Sequence, residues 1–305
     1  MTQLTLDIDG PVNVVDHGGD GPPMLLVHGL GGSHLDWSNV APSLARHHHV
    51  WSLDLIGFGR TPVTSRSASV SSNQRLVDRV VERIGSGQPV LLMGNSMGGL
   101  ISIVEASRNP QHVSGLVLVD PALPRPRGGR PTLMVTAAFL VLATPGAGRV
   151  LMQGQARRRS AERTVDDVLK LCTFDASRID PATREAQIEL ATWRQGIDQP
   201  QKAFLGASRS LVRWLIRRQT LEAHIRQVTA PTLLIHGDSD RLVALEAAAA
   251  VAVLRPDWDF RVLTDTGHVP QLERPEAFMT LVDDWLRSPR THTHLTEPAL
   301  STSRR

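Results

Sequence analysis

Short apolar runs alternate with helical patterns along most of the chain. The predicted strands are Met24–His28, Val50–Leu55, Val90–Gly94, Gly115–Asp120, Thr232–His236 and Phe260–Leu263. Most of these runs are apolar at successive positions, which is typical of parallel strands covered on both faces. The predicted helices are Asp36–Arg46, Ser71–Ile84, Met97–Arg108, Leu242–Leu254 and Pro275–Leu286. The alternation predicts an α/β fold in which helices flank a parallel sheet.

The first two segments have a different pattern. Leu4–Asp9 and Val12–His17 alternate between apolar and polar residues, and Gly10-Pro11 between them is a turn signal. Alternation with a period of two is typical of strands with one exposed face. We therefore expect an antiparallel hairpin at one edge of the sheet.

The alternation of strands and helices stops after Asp120 and resumes at Pro231. Residues 121–228 carry helical patterns interrupted by Pro and Gly. They predict a helical cap inserted between the two parts of the core, residues 1–120 and 229–287. Residues 288–305 are polar and contain Pro289 and Pro298, so we predict a disordered tail.

Composition excludes several classes of protein. The 305 residues contain 33 basic and 30 acidic residues, without the dense basic stripe that a nucleic-acid partner requires. Cys172 is the only cysteine, so no intrachain disulfide is possible. No secretory signal is recognised, and the longest apolar run, Leu133–Ala143, is too short to cross a membrane. We predict a cytoplasmic protein, with peripheral membrane contact left open by the arginine clusters near 157–159 and 213–218.

The segment Val90–Gly99, VLLMGNSMGG, predicts a nucleophile. A buried strand runs into a G-x-S-x-G turn, and a helix follows immediately, which is the context in which Ser96 becomes a catalytic serine. Gly94 and Gly98 are expected to relieve crowding at a strained turn. The helix beginning after Ser96 points its positive end at the place where an oxyanion would develop.

A second glycine-rich loop, His28–Gly32, follows the first predicted core strand. Such a loop lets backbone amides approach a substrate oxygen, and a tetrahedral intermediate needs two amide donors. We predict that the donors are the amides of Leu30 and Met97. His28 is expected to brace this loop.

The acid and the base are expected beyond the later strands. Asp240 is preferred as the acid, with Asp238 as a turn residue and Asp120 as a further candidate. His268, in the sequence TGHVP, is predicted to be the general base because it follows the last strand. The chain order Ser, Asp, His agrees with this assignment.

These segments together resemble the α/β-hydrolase superfamily. The match runs in order through HGLGG (28–32), DLIGFGR (54–60), GNSMGG (94–99) and GDSD…GHVPQLERPEAF (237–278). The resemblance implies a mostly parallel eight-stranded sheet, a Ser96-Asp240-His268 triad and a structural role for Asp54. Ser96 stands where epoxide hydrolases and haloalkane dehalogenases of this fold carry Asp, which disfavours those activities.

The predicted reaction is hydrolysis of a carboxylic ester through an acyl-enzyme on Ser96, without a metal or an organic cofactor. The substrate is expected to be a small apolar ester or lipid-like molecule. His34, Trp37, Phe139 and Trp193 are candidate substrate contacts. Three alternatives stay open: carbon–carbon hydrolysis of dienone acids, which the wording GNSMGG resembles, acyl transfer to another acceptor, and a non-enzymatic receptor on the same fold. The sequence does not indicate the oligomeric state.

Overall fold

The computed structural model describes residues 1–125, 160–197 and 200–288. Its eight strands form one sheet: β1 (Thr2–Asp7), β2 (Pro11–Gly18), β3 (Pro23–Val27), β4 (His49–Leu53), β5 (Val90–Asn95), β6 (Val113–Val119), β7 (Thr232–Gly237) and β8 (Asp259–Leu263). Their order in the sheet is β1-β2-β4-β3-β5-β6-β7-β8. Following this order, the strands from β4 through β3 to β8 pair in parallel, and β2 pairs antiparallel with both β1 and β4. The predicted α/β fold and edge hairpin are confirmed.

The described ranges contain ten α-helices. They are α1 (Ala41–Leu44), α2 (Val70–Gly85), α3 (Met97–Arg108), α4 (Ala161–Cys172), α5 (Pro181–Gln195), α6 (Pro200–Ile216), α7 (Arg218–Gln227), α8 (Leu245–Leu254), α9 (Pro270–Glu273) and α10 (Pro275–Leu286).

The sheet buries apolar side chains on both faces. In β3, Leu25 and Val27 belong to one hydrophobic cluster, whereas Met24 and Leu26 belong to a second cluster on the opposite face. Successive side chains of a strand point to opposite faces, so a strand covered on both sides must be apolar throughout. This requirement explains the continuous apolar runs of the sequence.

Two helix predictions need correction. Instead of one helix over Asp36–Arg46, the chain forms a 3₁₀ turn over His34–Trp37 and then the short α1. Pro42 lacks an amide hydrogen and its ring would collide with the carbonyl of Ser38 in a continuous helix. The helix predicted from Leu242 begins at Leu245, because the Asp240 carboxylate accepts the amides of Leu242 and Val243.

Most of the described residues between β6 and β7 are helical. The described residues 160–197 and 200–227 contain α4 to α7, and we call them the helical segment. Residues 126–159 of the predicted cap and 289–305 of the predicted tail lie outside the described ranges, so these two boundaries stay predictions. No helix in the described ranges is both long enough and apolar enough to cross a membrane.

Candidate active site

The predicted nucleophile stands at a sharp turn between β5 and α3. Ser96 has φ of 52° and ψ of −117°, a conformation that L-residues rarely adopt. Its amide donates to the carbonyl of Val119 at 3.0 Å, and its carbonyl accepts the amides of Leu100 and Ala122. The surrounding backbone therefore holds Ser96 in this strained conformation, with its side chain half-buried.

Close packing explains the glycines around Ser96. A methyl group on Gly98 would lie 2.2 Å from the carbonyl oxygen of Val27. One on Gly94 would lie 2.6 Å from the carbonyl oxygen of Gly98, and one on Gly99 would lie 2.8 Å from the Cβ of Pro121. The start of α3 thus touches β3, β5 and the end of β6 directly, and this contact fixes the position of Ser96.

The predicted oxyanion donors lie on either side of this turn. Met97 is the first residue of α3, so the helix does not use its amide hydrogen. The loop after β3 approaches from the other side: a methyl group on Gly29 would lie 3.0 Å from the Cβ of Ser96. Within the described ranges, no acceptor takes the amide of Leu30. As far as the described residues show, both amides are therefore left available for a substrate oxygen.

His28 braces the glycine loop. Its Nδ1 donates to the carbonyl of Gly29 at 2.7 Å, and its Nε2 accepts the amide of Leu55 at 3.0 Å. Burial lowers the pKa of His28 to about 4, which keeps the ring neutral and allows both bonds at once. The ring is therefore a structural link between the loops after β3 and β4.

The predicted base and acid are in direct contact. His268 Nδ1 lies 2.7 Å from Asp240 Oδ2. Because a carboxylate can only accept, Nδ1 carries the proton and Nε2 is left as an acceptor. Within the described ranges, neither Nε2 nor the Ser96 hydroxyl makes a hydrogen bond, so the Ser96–His268 bond is not formed in this arrangement.

The environment of Asp240 keeps it charged. Burial alone would raise the pKa of Asp240, but the interactions with His268, together with His236 and the amide of Leu242, hold this pKa below its ordinary value. Asp120, the other candidate acid, is also buried. Burial and the charge of Asp240 raise the pKa of Asp120 well above its ordinary value, so Asp120 is the neutral partner. It accepts the amide of Gly237 at 2.9 Å.

A side chain overlooked in the sequence joins the two catalytic loops. The Asn95 amide group donates to the carbonyl of Val119 at 3.1 Å and to that of His268 at 2.9 Å. The turn that carries Ser96 is thereby bound to the loop that carries His268, 173 residues later. Asn95 belongs to the GNSMGG motif, but nothing in the sequence indicated that its side chain would bind the carbonyl of His268.

Asp54 organises the loops on the other side of the site. Its carboxylate accepts the side-chain amide of Asn13, the backbone amide of Arg60 and the backbone amide of His34. The His34 ring also contacts it, with Nδ1 3.0 Å from Asp54 Oδ2. This arrangement agrees with the structural role that the resemblance implied. It also means that one ring nitrogen of His34 is already engaged.

Asp36 is a further acidic group at the glycine loop. Its Oδ2 lies 3.4 Å from the amide of Ser33, and Gln187 of α5 approaches its Oδ1 at 3.4 Å. Burial raises the pKa of Asp36 to about 7, and the neighbouring charge of Asp54 acts in the same direction. Asp36 therefore changes charge near neutral pH.

Trp37 and Trp193, the other two predicted substrate contacts within the described ranges, are not gathered around Ser96. Trp37 is fully buried in the same hydrophobic cluster as Met24 and Leu26, so it has no exposed surface with which to contact a substrate. Trp193 is half-exposed under the Arg60 guanidinium and lines a cavity of about 460 Å³ beside the first two strands. Of the described residues lining this cavity, none belongs to the Ser96 or His268 loops. Phe139 lies outside the described residues.

Among the described residues, two groups of side chains could supply metal ligands. In the first, ligand atoms of Asp120, His236 and Asp240 lie within 4.8 Å of one another, but Asp240 is already committed to His268 and the backbone. The second, Asp78, Glu82 and His112, lies at the partly exposed surface near α2. The first group thus overlaps the predicted acid, and the second shares no residue with the Ser96 and His268 loops.

Comparison with known proteins agrees with the fold. The family model described as alpha/beta hydrolase fold matches residues 22–275. The 2-hydroxymuconate semialdehyde hydrolase of Pseudomonas sp. (strain CF600) is 29% identical over 278 residues, covering 88% of each chain. The monoacylglycerol lipase abhd6-B of Xenopus laevis is 27% identical over 284 residues, covering 88% of this chain and 77% of that protein.

A solved structure supports the fold. A thermophilic esterase from Thermogutta terrifontis superposes with a TM-score of 0.68 at 22% identity, covering 96% of this chain and 100% of that one. The chain belongs to the alpha/beta hydrolase fold family. Hydrolase activity is supported by the relatives, which include enzymes of both carbon–carbon and ester cleavage.

Proposed function

We propose that this hydrolase cleaves a carboxylic ester through an acyl-enzyme on Ser96, with His268 as general base and Asp240 orienting the base. The observation that carries the proposal is the 2.7 Å contact between His268 Nδ1 and Asp240 Oδ2, on a loop bound to the Ser96 turn through Asn95. The contact leaves His268 Nε2 as the proton acceptor. Substrate binding then completes the hydrogen bond from Ser96 to Nε2.

The chemistry follows from these groups. His268 Nε2 removes the proton from the Ser96 hydroxyl as its oxygen attacks the ester carbonyl. The amides of Leu30 and Met97 bind the resulting oxyanion. When the intermediate collapses, the alcohol leaves with the proton held by His268. A water molecule, deprotonated by His268, then attacks the acyl group and releases the acid and free Ser96.

The charges of the described site favour a neutral ester as substrate. Asp36 and Asp240 are acidic, and the guanidinium of Arg194 is bound to the carbonyls of Gly57 and Gly59. The kinship with the Xenopus laevis monoacylglycerol lipase points in the same direction.

Carbon–carbon hydrolysis of a dienone acid is the second candidate. It is favoured by the relative from Pseudomonas sp. named 2-hydroxymuconate semialdehyde hydrolase. The same Ser96, His268 and amide donors would serve it. The two candidates differ in the bond that is cleaved and in the charge of the substrate, so assays with both kinds of substrate distinguish them.

The decisive experiment has two parts. A fluorophosphonate probe is expected to label Ser96 in the wild type and in Ser107→Ala, a serine change at the far end of the same helix, but not in Ser96→Ala. Mass spectrometry locates the label. Purified enzyme is then assayed with p-nitrophenyl esters of several chain lengths and with a coloured dienone acid.

The outcomes separate the candidates. Ester turnover that disappears in Ser96→Ala supports the proposal. Turnover of the dienone acid alone would establish the second candidate instead. A folded protein that the probe does not label would contradict the catalytic interpretation and indicate a binding protein.

A further inference from the structure

Glu273, at the end of α9, lies buried behind the loop of the predicted base. One carboxylate oxygen accepts the amide of Gly267 at 2.8 Å and the amide of Phe174 at 3.1 Å. The other accepts the amide of Asp175 at 2.8 Å. Glu273 is only 2% exposed, so these three amides supply the hydrogen bonds that a buried carboxylate requires. One side chain thus binds the His268 loop and the end of the helical segment's first helix together.

A second contact joins the same two regions directly. The amide of His268 donates to the carbonyl of Cys172, the last residue of α4, at 2.6 Å. A methyl group on Gly267 would lie 2.4 Å from that carbonyl oxygen and 2.7 Å from the Cα of Thr173. The two backbones therefore touch without room for a side chain, and residues 172–175 fit directly against the loop.

An apolar cluster surrounds these polar contacts. Leu169 of α4 and Ile179 pack with Val269 and Leu272, which follow His268 in the chain. The guanidinium of Arg178 also donates a hydrogen bond to the carbonyl of Asp265 at 2.6 Å. The end of α4 is thus attached to the His268 loop by hydrogen bonds, backbone contact and buried apolar surface.

We infer that Glu273 is a positioning residue that makes the placement of the catalytic imidazole depend on the docking of residues 172–175. The inference rests on the proposed function of His268. Asp240 orients the ring from the β7 side, while Glu273 fixes the backbone from which the ring projects. Displacement of the helical segment at residue 172 would break the hydrogen bond that the amide of His268 donates to the carbonyl of Cys172. The base would then move away from Ser96. The helical segment thereby sets the activity of the base through the backbone of the loop that carries it.

The test uses Glu273→Gln, which replaces one acceptor oxygen by a donor group facing amide donors. Glu276→Gln is the matched control, because it makes the same change at an exposed position three residues away. Cys172 is the only thiol of the chain, so its reaction with a maleimide reports the docking of residues 172–175 without requiring activity. We expect the thiol to react at least about 10-fold faster in Glu273→Gln.

The same variants are tested for their effect on the base. Phosphonate labelling of Ser96 is expected to slow roughly 10–100-fold in Glu273→Gln, as a small misplacement of a catalytic group does, and the midpoint of its pH profile should shift. Glu276→Gln should match the wild type in both measurements. A folded Glu273→Gln with unchanged thiol reactivity and an unchanged pH midpoint would overturn the inference.

Hydrogen exchange of the wild type tests the same link if Glu273→Gln fails to fold. The amides of Phe174, Asp175, Gly267 and His268 are expected to exchange with one common protection factor. Protection of the last two without the first two would overturn the inference. If Ser96 is never labelled, the proposed function fails, whereas the thiol and exchange measurements still judge the link by themselves.

Discussion

The two oxygens of the Asp240 carboxylate have different partners. Oδ1 accepts the backbone amides of Leu242 and Val243, at 2.7 and 3.1 Å, and Oδ2 contacts His268. The hydrogen bonds from the backbone fix the orientation of the carboxylate. Its remaining oxygen is therefore held in position to bind the imidazole. The negative charge is then available to stabilise an imidazolium.

Removing this charge gives the first prediction. Asp240→Asn keeps the size of the side chain, but its amide can face Nδ1 as a donor and favour the wrong tautomer of His268. We expect kcat to fall about 10³–10⁴-fold, with a smaller change in KM. Steady-state kinetics on the ester identified as substrate measure the effect. Asp238→Asn, at an exposed position two residues earlier, is the control and should stay close to the wild type.

Asp36 gives a prediction about stability and pH. Its pKa is raised to about 7 from an ordinary value of 3.8, so the folded protein holds this proton more tightly than the unfolded chain does. Stability linked to this group is therefore full below about pH 4 and is lost as the pH rises towards 7. Asp36→Asn should equal the wild type in acid and exceed it by roughly 1–3 kcal/mol at pH 8.

Chemical denaturation at several pH values between 4.5 and 8 measures this difference. Asp20→Asn, an exposed surface change, is the control and should show a difference that does not vary with pH. A constant offset for Asp36→Asn would contradict the predicted linkage.

At the scale of elements, the start of α3 packs tightly against the backbone of β3. Gly98→Ala would place a methyl group 2.2 Å from the carbonyl oxygen of Val27, and backbone cannot move aside as a flexible side chain can. We expect a loss of roughly 2–3 kcal/mol or more in unfolding free energy, together with loss of Ser96 labelling.

The matched control for this change is Gly206→Ala in α6. A methyl group there meets nothing within 4 Å, so the substitution should stabilise the helix by up to about 1 kcal/mol. Denaturant titration compares the two variants. Equal stability of both would contradict the packing argument.

Sequence patterns predicted the elements of the core well, because a sheet buried on both faces requires long apolar runs. The runs Val90–Gly94 and Thr232–His236 each match a strand to within one residue at either end. The predicted helix bounds were wrong where a single side chain, rather than the periodicity of apolar residues, decides where a helix can form. Pro42 divides the helix predicted over Asp36–Arg46, and Asp240 delays the start of α8. Such local effects depend on where a donor or a ring lies, which periodicity does not encode.

The site was predictable to a smaller extent. Motif order identified His268 and Asp240, and the structure places them in contact, whereas their catalytic roles await experiment. Asn95 and Glu273 were overlooked because their partners are backbone groups far away in the chain. A buried Glu in an apolar stretch indicates that it has a partner, but sequence cannot name a carbonyl or an amide as that partner.

At the scale of the whole molecule, the helical segment is also attached to the core through Arg194. This side chain of α5 donates to the carbonyls of Gly57 and Gly59 in the loop after β4. Arg194→Met keeps the apolar stem but leaves both carbonyls without this donor. We expect a cost of about 1–3 kcal/mol and faster hydrogen exchange in α5, with β3 and β5 unaffected.

Arg184→Met is the control for this prediction. Arg184 pairs with Asp166 and Glu162, so its contacts stay within α4 and α5. Because these pairs are largely solvated, the cost should be below about 1 kcal/mol. Hydrogen exchange resolved by mass spectrometry measures both variants. Comparable loosening of α5 in the two would contradict the docking role of Arg194.

The bond from Asn95 to the carbonyl of His268 spans 173 residues, and this separation has a kinetic consequence. Closing so long a loop is slow, because its entropy must be lost before the contact forms. During refolding from denaturant, Trp37 and Trp285 can become buried by collapse of the apolar layer before Ser96 meets His268. Tryptophan fluorescence should therefore recover before the reactivity of Ser96 towards a phosphonate. The delay between the two signals measures how long the Ser96 and His268 loops take to come together.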